Sequence, residues 1–126
     1  MRAVRRKWTS AERRVARVLR ASGVKYTTNS RHLPGSPDFV LREHPIVIFV
    51  NGCFWHGCPR CYVAPKRNAN WWADKVKRNV ARDKRKDRQL RALGYSVLHL
   101  WEHDGPRRAE LRIKTTIGRS VARRRR

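Results

Sequence analysis

Ile46-Val47-Ile48-Phe49-Val50-Asn51-Gly52-Cys53-Phe54-Trp55-His56-Gly57-Cys58-Pro59-Arg60-Cys61 is the stretch on which the reading of this chain turns. Its first five residues are a continuous β-branched and aromatic run, the pattern of a central strand buried on both faces. Working back, Glu43-His44-Pro45 makes a turn, and Asp38-Phe39-Val40-Leu41 forms a strand entered through the turn Leu33-Pro34-Gly35-Ser36-Pro37. The two strands make a hairpin. Working forward, about Ala69 to Leu93 is a long basic helix ended by Gly94, and Tyr95 to Trp101 is another buried strand. Upstream, Thr9 and Glu12 have capping-box spacing, and Ala11, Val15, Val18 and Leu19 repeat at helical period before Gly23. Lys25 to Asn29 reads as a short strand, and a last helix is expected near Arg107 to Ile117. The sum is an α/β fold with a central mixed sheet and helices on both faces.

The second half of the opening stretch carries chemistry. All three cysteines of the chain fall inside it, and Cys58 and Cys61 form a C-x-x-C turn that lets two thiolates converge on one zinc ion. Cys53 supplies a third ligand. The fourth comes from His56, from His103 or from water, and four protein ligands make a closed structural site whereas three plus water make an open catalytic one. His103 is preferred, because it leaves His56 free. The competing readings are a disulfide with one thiol left over and ordinary buried cysteines. An odd cysteine count, with no signal-peptide apolar core at the N-terminal end, points instead to a reducing compartment.

Charge defines the partner. Against 9 Asp+Glu stand 32 Lys+Arg, a formal net charge of +23 on 126 residues, and such a field repels itself unless a polyanion sits against it. Nucleic acid is the natural polyanion, although ribosomal and chromatin proteins that do no chemistry share this composition. No apolar stretch is long enough to span a bilayer, so the sequence gives no membrane partner. Residues 1–118 read as one domain without repeat or linker, and 119–126, ending in Arg123-Arg124-Arg125-Arg126, as a solvated basic tail.

Two carboxylates stand out. Val76, Val80, Asp83, Asp87 and Leu90 are spaced by four, three, four and three, so Asp83 shares a helix stripe with the valines that face the sheet. A buried acid needs a partner, and a neighbouring arginine would serve as well as a catalytic group. Asp38 opens a strand directly after Pro37, where an aspartate either caps a turn or holds a metal.

Pro37-Asp38 at the head of a hairpin resembles the PD-(D/E)xK nuclease pattern, and the surrounding text resembles one branch of it, the Vsr-type very short patch repair endonucleases. The matching pieces are Met1-Arg2-Ala3-Val4 leading to Thr9 and Glu12, Leu33 to Val40, Val47 to Gly57 with its Gly-Cys-Phe-Trp-His core, Trp71-Trp72, Lys77 to Asp83, Leu93 to Leu98 and Leu100-Trp101-Glu102. The resemblance runs in order through nearly the whole chain up to Asp104. It implies a three-layer α/β/α restriction-endonuclease-like fold with one structural zinc site. The implied activity is a Mg²⁺-dependent nick on the T strand, 5′ to the T of a G·T mismatch in duplex DNA.

Carried over by position, Asp38 and the backbone carbonyl of Val50 bind Mg²⁺, Glu12 completes the acidic site, His56 is the general base and Asp83 orients it. Cys53, Cys58, Cys61 and His103 hold zinc. Met1, Phe54, Trp55 and Trp72 resemble the residues that the family inserts beside the mismatch, where unstacking is cheapest; core packing is the competing reading for Trp72 next to Trp71. The family also implies a monomer on DNA, a MutL-type repair partner, and the bacterial cytoplasm at the nucleoid.

Some positions depart from the pattern. Asn51 stands where relatives have a histidine that assists at the phosphate, and an amide donates a hydrogen bond but carries no proton. His103 occupies a place often held by cysteine, the third cysteine is displaced by one, and no E-x-K follows Asp38. A zinc-stabilised DNA-binding module without cleavage, and a less selective nickase of restriction or phage defence, are the alternatives.

Overall fold

A computed structural model of the chain describes residues 10–28, 30–52, 58 and 63–124. Among them the elements run α1 (Ser10–Ala21), β1 (Tyr26–Thr27), β2 (Phe39–Leu41), β3 (Ile46–Asn51), α2 (Ala69–Ala92), β4 (Ser96–Trp101) and α3 (Pro106–Arg124). The sheet order is β1-β2-β3-β4. β2 and β3 form the expected antiparallel hairpin, with Phe39 opposite Ile48. β3 and β4 are parallel, in register from Ile46↔Ser96 to Asn51↔Trp101. A parallel pair needs a long crossover, and the segment containing α2 is that crossover.

Alternation along the strands sorts the side chains into two layers of core. Phe39, Leu41, Ile46, Ile48, Leu98 and Leu100 pack with Val15, Ala16 and Leu19 of α1 and Ala109 and Ile113 of α3. On the other face Val47 packs with Leu33 and with Leu90 of α2, joined by Phe49, Tyr95 and Val97. Ile46, Val47 and Ile48 are all fully buried, so β3 is covered on both faces, as its unbroken apolar run requires. Each such side chain contributes roughly 1.5–3 kcal/mol by burial.

α2 ends where the sequence places its stop. The Gly94 N–H donates to the Arg91 carbonyl at 3.0 Å and the Tyr95 N–H to that of Leu90 at 3.1 Å, a Schellman closure with Gly94 at φ 100°. A side chain at that φ would be strained. The closure turns the chain straight into β4 and sets Tyr95 beside Leu90 in the same cluster.

Two boundaries differ from expectation. β1 is confined to Tyr26–Thr27, with Asn29 outside the described residues. More significantly, α3 does not stop near Ile117; it continues to Arg124, so the expected solvated tail is helical through that residue. The reason is a stripe that composition hides: Ala109, Ile113 and Ser120 are buried at helical spacing, and the Arg123 guanidinium donates to the Ser96 hydroxyl at the start of β4. No helix among the described residues is long and apolar enough to cross a membrane.

Candidate active site

The turn before β2 builds one wall of a cleft. Gly35 and Ser36 both adopt left-handed conformations (φ 77° and 50°), and a Cβ on Gly35 would lie 3.2 Å from the Phe49 ring and 3.3 Å from Lys86 Cβ. Glycine thus lets the turn close against β3 and α2. Asp38 emerges from this turn after buried Pro37, and its Oδ2 accepts the Val50 N–H at 2.7 Å.

Burial pushes the Asp38 carboxyl up to about 7, a hydrogen bond with the Glu12 side chain adds to the rise, the Val50 N–H opposes it, and the charge of Glu12 raises it further. Asp38 therefore keeps a share of its proton near neutral pH. Glu12 comes from the first turn of α1 and Asp38 from the sheet, so the fold unites residues that the sequence separates. A desolvated carboxyl that resists ionisation beside a second carboxyl is a site for a proton or for a cation that replaces it.

The cleft has a volume of about 330 Å³ and is lined by Asp38, Val50, Asn51, Asp83, Asp87 and His99, with Arg82 and Lys86 beside them. Asp83 thus faces the cleft, as its helix stripe indicated. Asn51, the last residue of β3, is buried, and its Nδ2 lies 3.0 Å from His99 Nδ1. His99 Nε2 lies 2.8 and 3.0 Å from the two oxygens of Asp87, and the ring stacks on Phe49 at 5.1 Å with planes 16° apart. Sequence reasoning assigned neither Asp87 nor His99. A signal existed for both: Asp87 lies four residues after Asp83 on the same stripe, and His99 alternates with Val97 on the α2 side of β4.

A second cluster follows β4. Cys58 is buried with its Sγ 3.7 Å from His103 Nδ1, while His103 Nε2 lies 3.6 Å from Asp104 Oδ1. Two ligands on one tetrahedral zinc, with bonds near 2.3 Å to sulfur and 2.0–2.1 Å to nitrogen, sit about 3.6 Å apart. The observed sulfur–nitrogen spacing fits. Asp104 is buried, accepts the Trp101 N–H at 2.9 Å through Oδ2, and has Arg108 Nε 3.3 Å from an Oδ1 on which no donor is aligned. That oxygen faces Nε2 across 3.6 Å, and a small closing movement would let it accept the Nε2–H and leave Nδ1 as the ligand atom. Among the described residues no three ligands gather; Cys53 and Cys61 lie outside them, as do Met1, Phe54, Trp55 and His56. Trp72 is half-buried and meets exposed Trp71 edge to face at 4.7 Å.

The family model described as DNA mismatch endonuclease Vsr matches residues 1–62. A Type II nicking enzyme of Xanthomonas oryzae pv. oryzae is 39% identical over 104 residues, which cover 81% of this chain and 76% of that protein. The chain belongs to the Vsr family of DNA endonucleases. The DNA mismatch endonuclease Vsr of Escherichia coli (strain K12) is 40% identical over 104 residues, 81% of this chain and 66% of that protein, so the chain spans just under two thirds of that relative. The catalytic domain of a homing endonuclease superposes with a TM-score of 0.48 at 24% identity, covering 91% of this chain and 92% of that one. For this Vsr-family chain the cleft lined by Asp38, with Glu12 hydrogen-bonded to that acid, is the candidate active site.

Proposed function

We propose that this endonuclease nicks the T strand of a G·T mismatch on the 5′ side of the T, acting as a monomer on duplex DNA in the bacterial cytoplasm. The observation that carries the reading is Asp38, desolvated and slow to lose its proton near neutral pH beside Glu12, in a cleft that Asp83 also lines. A pure DNA-binding surface on so basic a chain has no use for a desolvated pair of acids, which repels phosphate when ionised.

In this reading Asp38, Glu12 and the Val50 carbonyl hold Mg²⁺, which when bound stabilises charge on the phosphate and the departing oxygen. His56 takes the proton of the attacking water, and Asp83 holds the imidazole in the tautomer that can accept it. Attack on phosphorus expels the 3′ oxygen and leaves a 5′-phosphate. Arg82 and Lys86, on the α2 wall, draw the backbone phosphates to the cleft. Cys53, Cys58, Cys61 and His103 hold zinc, fixing the segment that carries His56. Phe54, Trp55 and Trp72 enter the stack beside the mispair, with Met1 from the N-terminal end, and a MutL-type protein is the repair partner.

A strand-resolved nicking assay on otherwise identical T·A, G·T and G·5-methylcytosine duplexes tests this. The expected result is cleavage of the T strand of G·T alone. Equal nicking of all three makes the enzyme a less selective nickase, and tight G·T binding with both strands intact in Mg²⁺ and Mn²⁺ makes the chain a binding module. Asp38→Ala is expected to abolish cutting while preserving binding, and His56→Ala to slow it by ~10²- to 10⁴-fold, the scale of a general base.

A further inference from the structure

We propose that Asp87 and His99 are positioning residues that set the orientation of the Asn51 carboxamide, so that its oxygen faces the cleft and holds the attacking water by an O–H···O hydrogen bond. The inference rests on the nuclease reading above.

Both oxygens of Asp87 lie within 3.0 Å of His99 Nε2, and an ionised carboxylate only accepts, so Nε2 carries the hydrogen. In the proposed arrangement the ring is neutral and offers a lone pair at Nδ1. Asn51 Nδ2, 3.0 Å away, donates to it. The flipped amide would set its oxygen against that lone pair, two acceptors face to face, so the dyad selects one of the two amide orientations. The carboxamide oxygen and one N–H of Asn51 are left for the cleft, beside the residue whose N–H binds Asp38.

His99 is not itself a base for the reaction. Both of its ring nitrogens are engaged and one face of the ring is covered by Phe49 at 5.1 Å, so neither nitrogen is free to take a proton from the water. What the dyad supplies is rigidity at a short side chain, from three elements at once: Asp87 on α2, His99 on β4 and Asn51 on β3. A carboxamide held this way meets the water without reorienting during the reaction.

Single-turnover nicking by the full chain, on whichever duplex the wild type cuts, tests the role through a double-mutant cycle. Asn51→Ala removes the carboxamide, and His99→Phe removes both hydrogen bonds while keeping the ring over Phe49. Each is expected to lower the rate constant by roughly 10- to 100-fold with DNA affinity unchanged, the scale for partners that orient a functional group. Asn51→Ala/His99→Phe is expected to be no slower than the slower single variant, because His99 acts through Asn51. A merely structural histidine would cost the same factor in both backgrounds, and that result overturns the proposal.

Nitrogen-15 histidine spectra of the intact protein provide a readout independent of activity. His99 should show a protonated Nε2 and a bare Nδ1, and Asp87→Asn should disturb that pattern. A ring protonated on both nitrogens overturns the proposal. Wild-type protein that cuts no duplex removes the nuclease reading and the positioning role with it, whereas additive losses in an active enzyme remove the positioning alone.

Discussion

Replacing Asp38 by asparagine should make this protein more stable at alkaline pH while removing its activity. The folded chain holds the Asp38 proton to about 7, against an ordinary value of 3.8, chiefly because the carboxyl is buried and then because Glu12 bonds to it. Between those two pH values the folded state binds a proton that the unfolded chain has released, so stability falls as pH rises through the window. The stabilising contribution is complete below about 4 and gone above about 7. Each tenfold in proton affinity is about 1.4 kcal/mol, so the shift is worth on the order of 2–4 kcal/mol once the residual exposure of the carboxyl is allowed for.

Asparagine reproduces the protonated acid. Its oxygen can accept the Val50 N–H, which Asp38 Oδ2 now takes at 2.7 Å, and its NH₂ can donate to Glu12 as the acid proton does. Urea unfolding of wild type and Asp38→Asn from pH 5 to pH 9 is the assay, in magnesium-free buffer without chelator, so that no other metal is stripped. The curves should already differ at pH 5, by roughly a third of the full gap, and separate to the whole of it by pH 8, with the variant above. Adding Mg²⁺ at pH 8 should raise the wild type alone, since a cation replaces the lost proton. A variant less stable than wild type at every pH would refute the reasoning, as would wild-type stability that climbs from pH 5 to 7.

The other expected outcomes address the remaining parts. Cys58→Ser and His103→Ala should each lower zinc content and thermal stability, because affinity for a structural metal is folding energy; full stability in a zinc-free sample would remove that site. Phe39→Ala, at a fully buried position, should cost about 3–5 kcal/mol in urea unfolding, and a loss under about 1 kcal/mol would contradict the central place of β2. DNA affinity should fall steeply with salt. Trp55→Ala should narrow the preference for G·T over T·A, and equal losses on both duplexes would show a contact without mismatch sensitivity.

The fold was legible where patterning is local. The β3 run, its hairpin with β2 and the Gly94 stop each depend on neighbours in sequence, and each formed as read. The end of α3 was not, because Arg-rich composition outweighs a sparse stripe of Ala109, Ile113 and Ser120, and the anchor of Arg123 is Ser96, which no local pattern reveals. At the site, Asp38 could be picked out from Pro37 and the strand that follows, and Asp83 from its stripe. The meeting of Glu12 with Asp38 is a tertiary event between α1 and the sheet. His99 stayed hidden for another reason: within Ser96 to Trp101 it looks like one polar residue of a strand, and its meaning comes from Asp87 and Asn51 on two other elements.

Both clusters gather at one edge of the sheet, and the parallel pair explains why. β3 and β4 run in the same direction, so their carboxyl ends, Asn51 and Trp101, lie side by side. In open α/β sheets the ends of parallel strands are where sites form, because the chain leaves in loops there while the strands stay fixed. Asn51 enters the cleft, and its carbonyl accepts the Glu102 N–H at 2.9 Å, tying the exits of both strands together. One residue further, His103 turns to Cys58. Asn51 and Cys58, which flank in sequence the segment that carries His56, are therefore each anchored, one in the sheet and the other against His103. Loss of the Cys58 anchor should reach the cleft through that segment, slowing cleavage at temperatures where the sheet itself remains folded.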